Sequence, residues 1–238
     1  MTEISVPSQA STIIIVRPQK TDGFEVLLTR RPQEMEVLGG YLVFPGGRVE
    51  EGDWSEKMIA RCRGLSVTEA KGILDGPMRA EMCLGYWVAA VRELFEEAGI
   101  HFFVNDGETA GGLSESSQHR LAQQRRALSQ GRISLSDLLE SERLFCDLSG
   151  LTYLFHRITP EKHKTRFDTR FYLAALPAGQ RPLASSEEVA ESLWLAPDVA
   201  LNSAESGKFP MMPPTLIALR TLADIGTWQG LSSLYRLA

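Results

Sequence analysis

At 238 residues, with 43% hydrophobic and 23% charged side chains, the chain has the composition of a folded globular protein, not of a disordered segment. Its 25 Lys and Arg against 30 Asp and Glu leave a formal charge of -5, which argues against the broad cationic surface that a long DNA or RNA partner needs. Three widely spaced cysteines, Cys62, Cys83 and Cys146, contain no Cys-x-x-Cys pair and argue against a disulfide framework or a structural zinc site.

In chain order, residues 1–11 are polar and lack the charged, apolar and cleavage regions of a secretory signal, so a cytoplasmic location is expected. The apolar run Thr12 to Val16 is too short to span a bilayer and is closed by Arg17 and Pro18, so no membrane association is expected. Thr12 to Arg17 and Phe24 to Thr29 read as two strands of a hairpin, since Pro18, Asp22 and Gly23 lie between them. Tyr41 to Phe44 reads as a third short strand. It runs into Pro45-Gly46-Gly47, where glycine frees the backbone to turn or to approach a ligand closely.

Residues 54–77 carry helical spacing at Lys57 to Cys62 and Val67 to Leu74, broken by glycines, and read as an insertion with one or two short helices. From Met78 to Ala98 a longer helix is predicted, because Leu84, Val88, Val91 and Phe95 recur at steps of three and four and Gly99 supplies a stop. A strand at Ile100 to Val104, a polar loop at Asn105 to Gly112, and helices at Gln118 to Leu128 and Leu135 to Glu140 follow. Residues 113–145 read as a helical elaboration, a candidate substrate-side cap. Strands at Leu151 to Ile158, Thr169 to Ala175 and Val189 to Leu195, and helices at Pro197 to Ser203 and Thr215 to Ile225, complete the chain. The whole is expected to form one domain, 1–238.

The informative block is Arg92-Glu93-Leu94-Phe95-Glu96-Glu97-Ala98-Gly99-Ile100. Glu93, Glu96 and Glu97 stand at i, i+3 and i+4, which places three carboxylates on one helical face, away from the apolar stripe. Each like-charge pair at this spacing opposes the helix by roughly a few tenths of a kcal/mol, a penalty that a divalent cation with oxygen ligands removes. The competing reading is a solvated, glutamate-rich helix face.

This block resembles the second half of the Nudix hydrolase signature, Arg-Glu-apolar-x-Glu-Glu-x-Gly-apolar, at every specified position. The first half has its counterpart in Gly47, followed after five residues by Asp53, an acid one methylene shorter than the usual Glu. Between Asp53 and Arg92 the chain is much longer than the family pattern, so the box is split. The split resembles the subgroup containing the mammalian peroxisomal coenzyme A diphosphatase. Leu27-Leu28-Thr29-Arg30-Arg31 with Gly40 and Phe44-Pro45-Gly46-Gly47 is similar to a signature of coenzyme A pyrophosphohydrolases, departing from it at Pro32 and Glu36. Ile158-Thr159-Pro160 and Arg166-Phe167-Asp168-Thr169-Arg170-Phe171 look like the same subgroup.

The resemblance implies an α/β/α sandwich around a mixed β-sheet, with a helical insertion inside the Nudix box. It implies hydrolysis of a nucleoside diphosphate derivative, coenzyme A or an acyl derivative first, with Mg²⁺ or Mn²⁺ held by Glu93, Glu96 and Glu97. Arg92 would orient a glutamate, with Glu96 as its local partner. The base would be Glu93 or a later loop acid, Glu187 or Glu188, with Glu188 preferred of the two. Gly46 and Gly47 would bring main-chain groups to the phosphates. Arg30 and Arg31 read equally well as substrate contacts or as exposed strand ends. His156 and Asp168 read as structural polar groups. Rival readings are an ADP-ribose, NADH or dinucleoside polyphosphate hydrolase, and a non-catalytic nucleotide sensor on the same fold. A homodimer is compatible with all of them.

Overall fold

A computed structural model of the chain describes residues 5–105 and 112–237. The strands are β1 (Ser8–Pro18), β2 (Phe24–Arg30), β3 (Leu42–Val43), β4 (Gly46–Arg48), β5 (Cys62–Arg63), β6 (Phe103–Val104), β7 (Phe145–Asp147), β8 (Thr152–Ile158), β9 (Phe167–Ala175) and β10 (Glu191–Leu195). The helices are α1 (Glu56–Ile59), α2 (Val67–Leu74), α3 (Ala80–Ala98), α4 (Glu115–Ser129), α5 (Leu135–Ser141), α6 (Pro197–Glu205), α7 (Pro213–Ile225) and α8 (Trp228–Tyr235), with one 3-10 turn at Glu51–Trp54.

Seven strands form the main sheet in the order β10-β2-β1-β9-β8, with β3 beside β2 and β4 beside β1. β1 and β2 are antiparallel, pairing Val16 with Val26, as the hairpin reading expects. β1 and β9 are parallel over their shared length, from Ser8 opposite Phe167 to Val16 opposite Ala175, so the sheet is mixed.

The alternation of a strand decides which residue meets which layer. On β1, Ile13 and Ile15 join the core under α3, while Ile14 and Val16 join the core on the other face with Ala218, Leu219 and Leu222 of α7. β9 alternates likewise, with Tyr172 and Ala174 on the α3 side and Leu173 on the other. These side chains are fully buried, and each contributes about 1.5–3 kcal/mol of transfer free energy if it is a Val, Leu or Ile. A sheet apolar on both faces requires a helical layer on each, and the result is the expected α/β/α sandwich.

Several elements depart from the sequence reading. Gly46 and Gly47 lie within β4, with Thr12 opposite Gly46 and Ser11 opposite Gly47, and not in a turn. The segment 54–77 does hold α1 and α2, and also the two-residue strand β5. The strand expected over Ile100 to Val104 shrinks to Phe103–Val104, and β7 and α8 were not anticipated. α7 begins at Pro213, in keeping with the suitability of proline for a first helical turn. The loop expected at Asn105 to Gly112 falls largely outside the described residues. Among the described residues no helix is long and apolar enough to cross a membrane, and Cys62, Cys83 and Cys146 are all free thiols.

Candidate active site

α3 presents the site. It is held against β1 by Ser11, whose hydroxyl donates to the Tyr86 carbonyl at 2.7 Å. It ends at Gly99, whose φ of 71° is the left-handed cap conformation that a side chain disfavours.

Arg92 lies at the hub, with its side chain 7% exposed. Its Nε and Nη2 donate to the two carboxylate oxygens of Asp53 at 2.8 and 3.1 Å. Nη2 also donates to the Arg48 carbonyl at 2.7 Å, and Nη1 reaches Glu93 at 2.9 Å and Glu96 at 3.2 Å. Burial works against the charge on Arg92. Asp53, Glu93 and Glu96 more than offset it and hold the guanidinium pKa well above its usual value. The local Arg92–Glu96 pair is therefore present, and Asp53 adds a bidentate clamp. Asp53 itself is fixed by the 3-10 turn, where its carboxylate accepts from the Glu50 amide at 2.8 Å.

The three glutamates are not a solvated helix face. Glu97 is 4% exposed, and the side chains of Glu93 and Glu96 are 14% and 13% exposed. Burial, then Glu96 and Asp53, push Glu93 up to about 7 against the pull of Arg92. Burial also raises Glu96. Glu97 is driven well above the carboxylate range by burial, Glu93 and Glu188, and the Gly46 amide donates to it at 3.3 Å. Gly47 lies against the Glu93 carboxylate so closely that a Cβ at this position would overlap it. A Cβ at Gly46 would run into the Ser11 carbonyl. The glycine pair thus allows backbone and carboxylates to share one narrow space.

Glu93, Glu96 and Glu97 line a cavity of about 370 Å³ together with Glu187 and Glu188. An adjoining groove of about 500 Å³ shares Glu93, Glu96 and Glu188 and extends past Gly46, Gly47 and Arg31 to Phe44, Phe167 and Phe171. Arg31 thus reaches the groove, with its Nε donating to the Val37 carbonyl at 3.2 Å. Arg30 lines neither space. It pairs with Glu191 at 3.3 Å across the β2–β10 ladder. Glu187 turns toward α4 and pairs with Arg126 at 3.1 Å. His156 bonds Asp168 at 2.6 Å, Asp168 pairs with Arg170, and Arg170 donates to the Tyr86 hydroxyl at 3.0 Å, a network between the sheet and α3.

An all-oxygen carboxylate donor set suits a hard cation of the Mg²⁺ or Mn²⁺ type, and five carboxylates around one cavity leave negative charge for it to neutralise. As placed, Glu93 and Glu96 are turned onto Arg92, and among the described residues no three His, Cys, Asp or Glu side chains stand close enough together to hold an ion. The site residues that sequence reasoning passed over are Asp53 as the buried partner of Arg92, and Arg125 and Arg126 on α4. Asp53 was signalled by its spacing from Gly47. The two arginines carried no local signal.

The carboxylate-bearing helix packed on a mixed sheet defines this as a Nudix fold. A solved Nudix hydrolase from Alicyclobacillus acidocaldarius superposes with a TM-score of 0.75 at 26% identity, over 97% of this chain and 96% of that one. The model of the NUDT19 Nudix domain matches residues 6–222, and the chain belongs to that family. It is 24% identical over 235 residues to the acyl-coenzyme A diphosphatase NUDT19 of Xenopus laevis, covering 85% of this chain and 60% of the relative. It is 25% identical over 227 residues to the putative nudix hydrolase 7 of Caenorhabditis elegans, covering 93% and 62%. The Gallus gallus acyl-coenzyme A diphosphatase NUDT19 is 25% identical over 240 residues, covering 86% and 62%. The chain therefore spans about three-fifths of the length of these curated relatives.

Proposed function

We propose that this chain is a divalent-metal-dependent diphosphatase that hydrolyses the pyrophosphate bond of coenzyme A or an acyl-coenzyme A to 3',5'-ADP and (acyl-)4'-phosphopantetheine. The observation that carries the reading is the gathering of Glu93, Glu96 and Glu97 from one helix onto one cavity, with Arg92 fixing two of them. Two of the relatives above are named acyl-coenzyme A diphosphatases, which favours coenzyme A species over other diphosphates. We read 1–238 as one domain acting in the cytoplasm, with 54–77 and 113–145 as elaborations of it.

Glu93, Glu96 and Glu97 would hold Mg²⁺ or Mn²⁺, which when bound neutralises charge on the diphosphate oxygens. Arg92 keeps Glu93 and Glu96 oriented, because its other donors are anchored on Asp53 and on the Arg48 carbonyl. The carboxylates available to take a proton from the attacking water are Glu188 and Glu93, both on the cavity wall. Gly46 and Gly47 would bring main-chain groups to the phosphates from the groove wall, and Arg31 offers a cation there.

The test is turnover of a panel of diphosphates by the purified chain with Mg²⁺ or Mn²⁺, read by mass spectrometry of the products. Formation of 3',5'-ADP from coenzyme A is expected. Much faster turnover of ADP-ribose, NADH or a dinucleoside polyphosphate would refute the substrate assignment. Nucleotide binding without hydrolysis of any diphosphate would mark a sensor instead.

A further inference from the structure

The insertion at 54–77 is built into the helical elaboration that follows α3. β5, inside the insertion, pairs in parallel with β7, and β7 pairs with β6, giving a small three-stranded sheet. Lys57 Nζ bonds Asp137 at 2.5 Å and Glu140 at 2.8 Å on α5. Met58 and Ala70 of the insertion bury into the same core as Leu121 and Leu128 of α4. The insertion is thereby tied to α5, and α4 packs against α5 and α3.

α4 lies at the C-terminal end of α3, where Arg125 Nη1 donates to the Glu96 carbonyl. This satisfies a helix-end acceptor and places a cation at the negative end of the α3 dipole. Among the described residues, Arg125 and Arg126 are the only cations lining the cavity of Glu93, Glu96 and Glu97, whose other charged lining residues are all carboxylates. Arg125 is half-buried, whereas Arg126 is exposed. Its side chain is 70% exposed, and its ion-pair partner is Glu187, itself 58% exposed. A pair this exposed is weak and readily exchanged for another anion.

We propose that Arg126 is a substrate-binding residue, leaving Glu187 to form charge-assisted hydrogen bonds with phosphate oxygens of a nucleotide in this cavity, while Arg125 positions α4 over the site. A guanidinium fork matches a phosphate better than it matches one oxygen of an exposed carboxylate, which gives the exchange its direction. The phosphate could belong to the 5' position or to a separate 3' phosphomonoester. The inference rests on the nucleotide-hydrolase reading for its ligand class, and its test does not need turnover.

Calorimetric binding of 3',5'-ADP and of 5'-AMP is measured for the wild type, Arg126→Ala and Glu187→Ala. Arg126→Ala is expected to weaken 3',5'-ADP binding about tenfold, and Glu187→Ala to bind at least as tightly as the wild type. An equal loss for both nucleotides assigns the contact to the 5' phosphate, and a loss confined to 3',5'-ADP assigns it to the 3' phosphate. Unchanged binding by Arg126→Ala overturns the inference, as does a wild type that binds neither nucleotide. Equal weakening in both variants also overturns it, because a pair that only ties α4 to the 184–190 loop is lost in either one. If the wild type binds nucleotide, with the Arg126→Ala loss, but hydrolyses no diphosphate, the hydrolase reading falls and the role of Arg126 stands. With turnover, Arg126→Ala is expected to raise KM about tenfold and leave kcat within about twofold.

Discussion

Arg92 and Asp53 form a bidentate ion pair, at 2.8 and 3.1 Å, between residues 39 positions apart in the chain and almost wholly out of water. The pair spans the insertion. It joins the two halves of the split motif as a single electrostatic unit, so the box is restored in space although it is interrupted in sequence. Removing Asp53 takes away the bidentate partner of Arg92 but leaves it Glu93 and Glu96, so the cost falls short of the roughly 3–5 kcal/mol of an unpaired buried charge. Asp53→Asn is expected to lose about 1–3 kcal/mol in denaturant titrations. Asp53→Glu, which restores the family's more usual acid, adds a methylene to a filled site and should cost about 1–3 kcal/mol. Loss of less than about 1 kcal/mol in Asp53→Asn would show that the pair is not what holds Arg92 in place.

Glu97 separates the metal reading from a purely structural one. Its carboxylate is buried beside Glu93 and Glu188, and the Gly46 amide donates to it at 3.3 Å. In Glu97→Gln the amide oxygen still accepts from Gly46, while one buried like charge disappears. The variant without metal should therefore be at least as stable as the wild type. Mg²⁺ or Mn²⁺ is expected to raise the Tm of the wild type and to raise that of Glu97→Gln less, and turnover should fall by roughly 100-fold or more, equivalent to about 2.7 kcal/mol of barrier. An undiminished metal-dependent Tm shift in Glu97→Gln would remove this residue from the ion's ligands.

The residues Arg92 to Ile100 carried much of this site openly, because order and spacing on one helix are local properties. The β1–β2 hairpin and the extent of α3 were legible for the same reason. β5 and β7 were not, since strands of two and three residues have no period, and Cys62 opposite Cys146 is a pairing across much of the chain. The strand character of Gly46 and Gly47 was hidden because glycine suggests a turn unless its partner strand is known. The close approach of Gly47 to the Glu93 carboxylate was hidden likewise, since glycine suggested closeness to a ligand and not to a side chain of α3. Arg126 was illegible for a further reason. It reaches the site only through the packing of α4 on α3 and α5.

His101 gives a pH dependence that is independent of the carboxylates on the cavity wall. Its ring is buried against Phe95 and Phe103, and its Nδ1 accepts from the Phe103 amide at 3.3 Å. Burial lowers it from 6.5 to about 4, so the folded state resists a proton that the unfolded chain accepts. The stabilising contribution is therefore complete above about pH 6.5 and is lost as pH falls toward about 4, reaching about 3 kcal/mol. In His101→Gln this part of the acid destabilisation should vanish. Stability curves for the two proteins that stay parallel between pH 7 and pH 4 would refute the assignment.

Gly47 tests whether the closeness of backbone and carboxylate is functional. A Cβ there would overlap the carboxylate of Glu93, which in the wild type accepts from Arg92 Nη1 at 2.9 Å. In Gly47→Ala either the Glu93 side chain rotates out of the cavity or β4 moves away from α3. The first outcome costs turnover with little stability, and the second costs about 1–3 kcal/mol as overpacking usually does. The expected result is the first. The Arg92–Asp53 clamp and the ladder between β4 and β1 fix the backbone, whereas a glutamate side chain has three rotatable bonds. A fall in kcat of roughly tenfold or more with Tm changed by only a few degrees would be the signature. Wild-type kcat in Gly47→Ala would mean that the position of Glu93 against this strand is not required for the reaction.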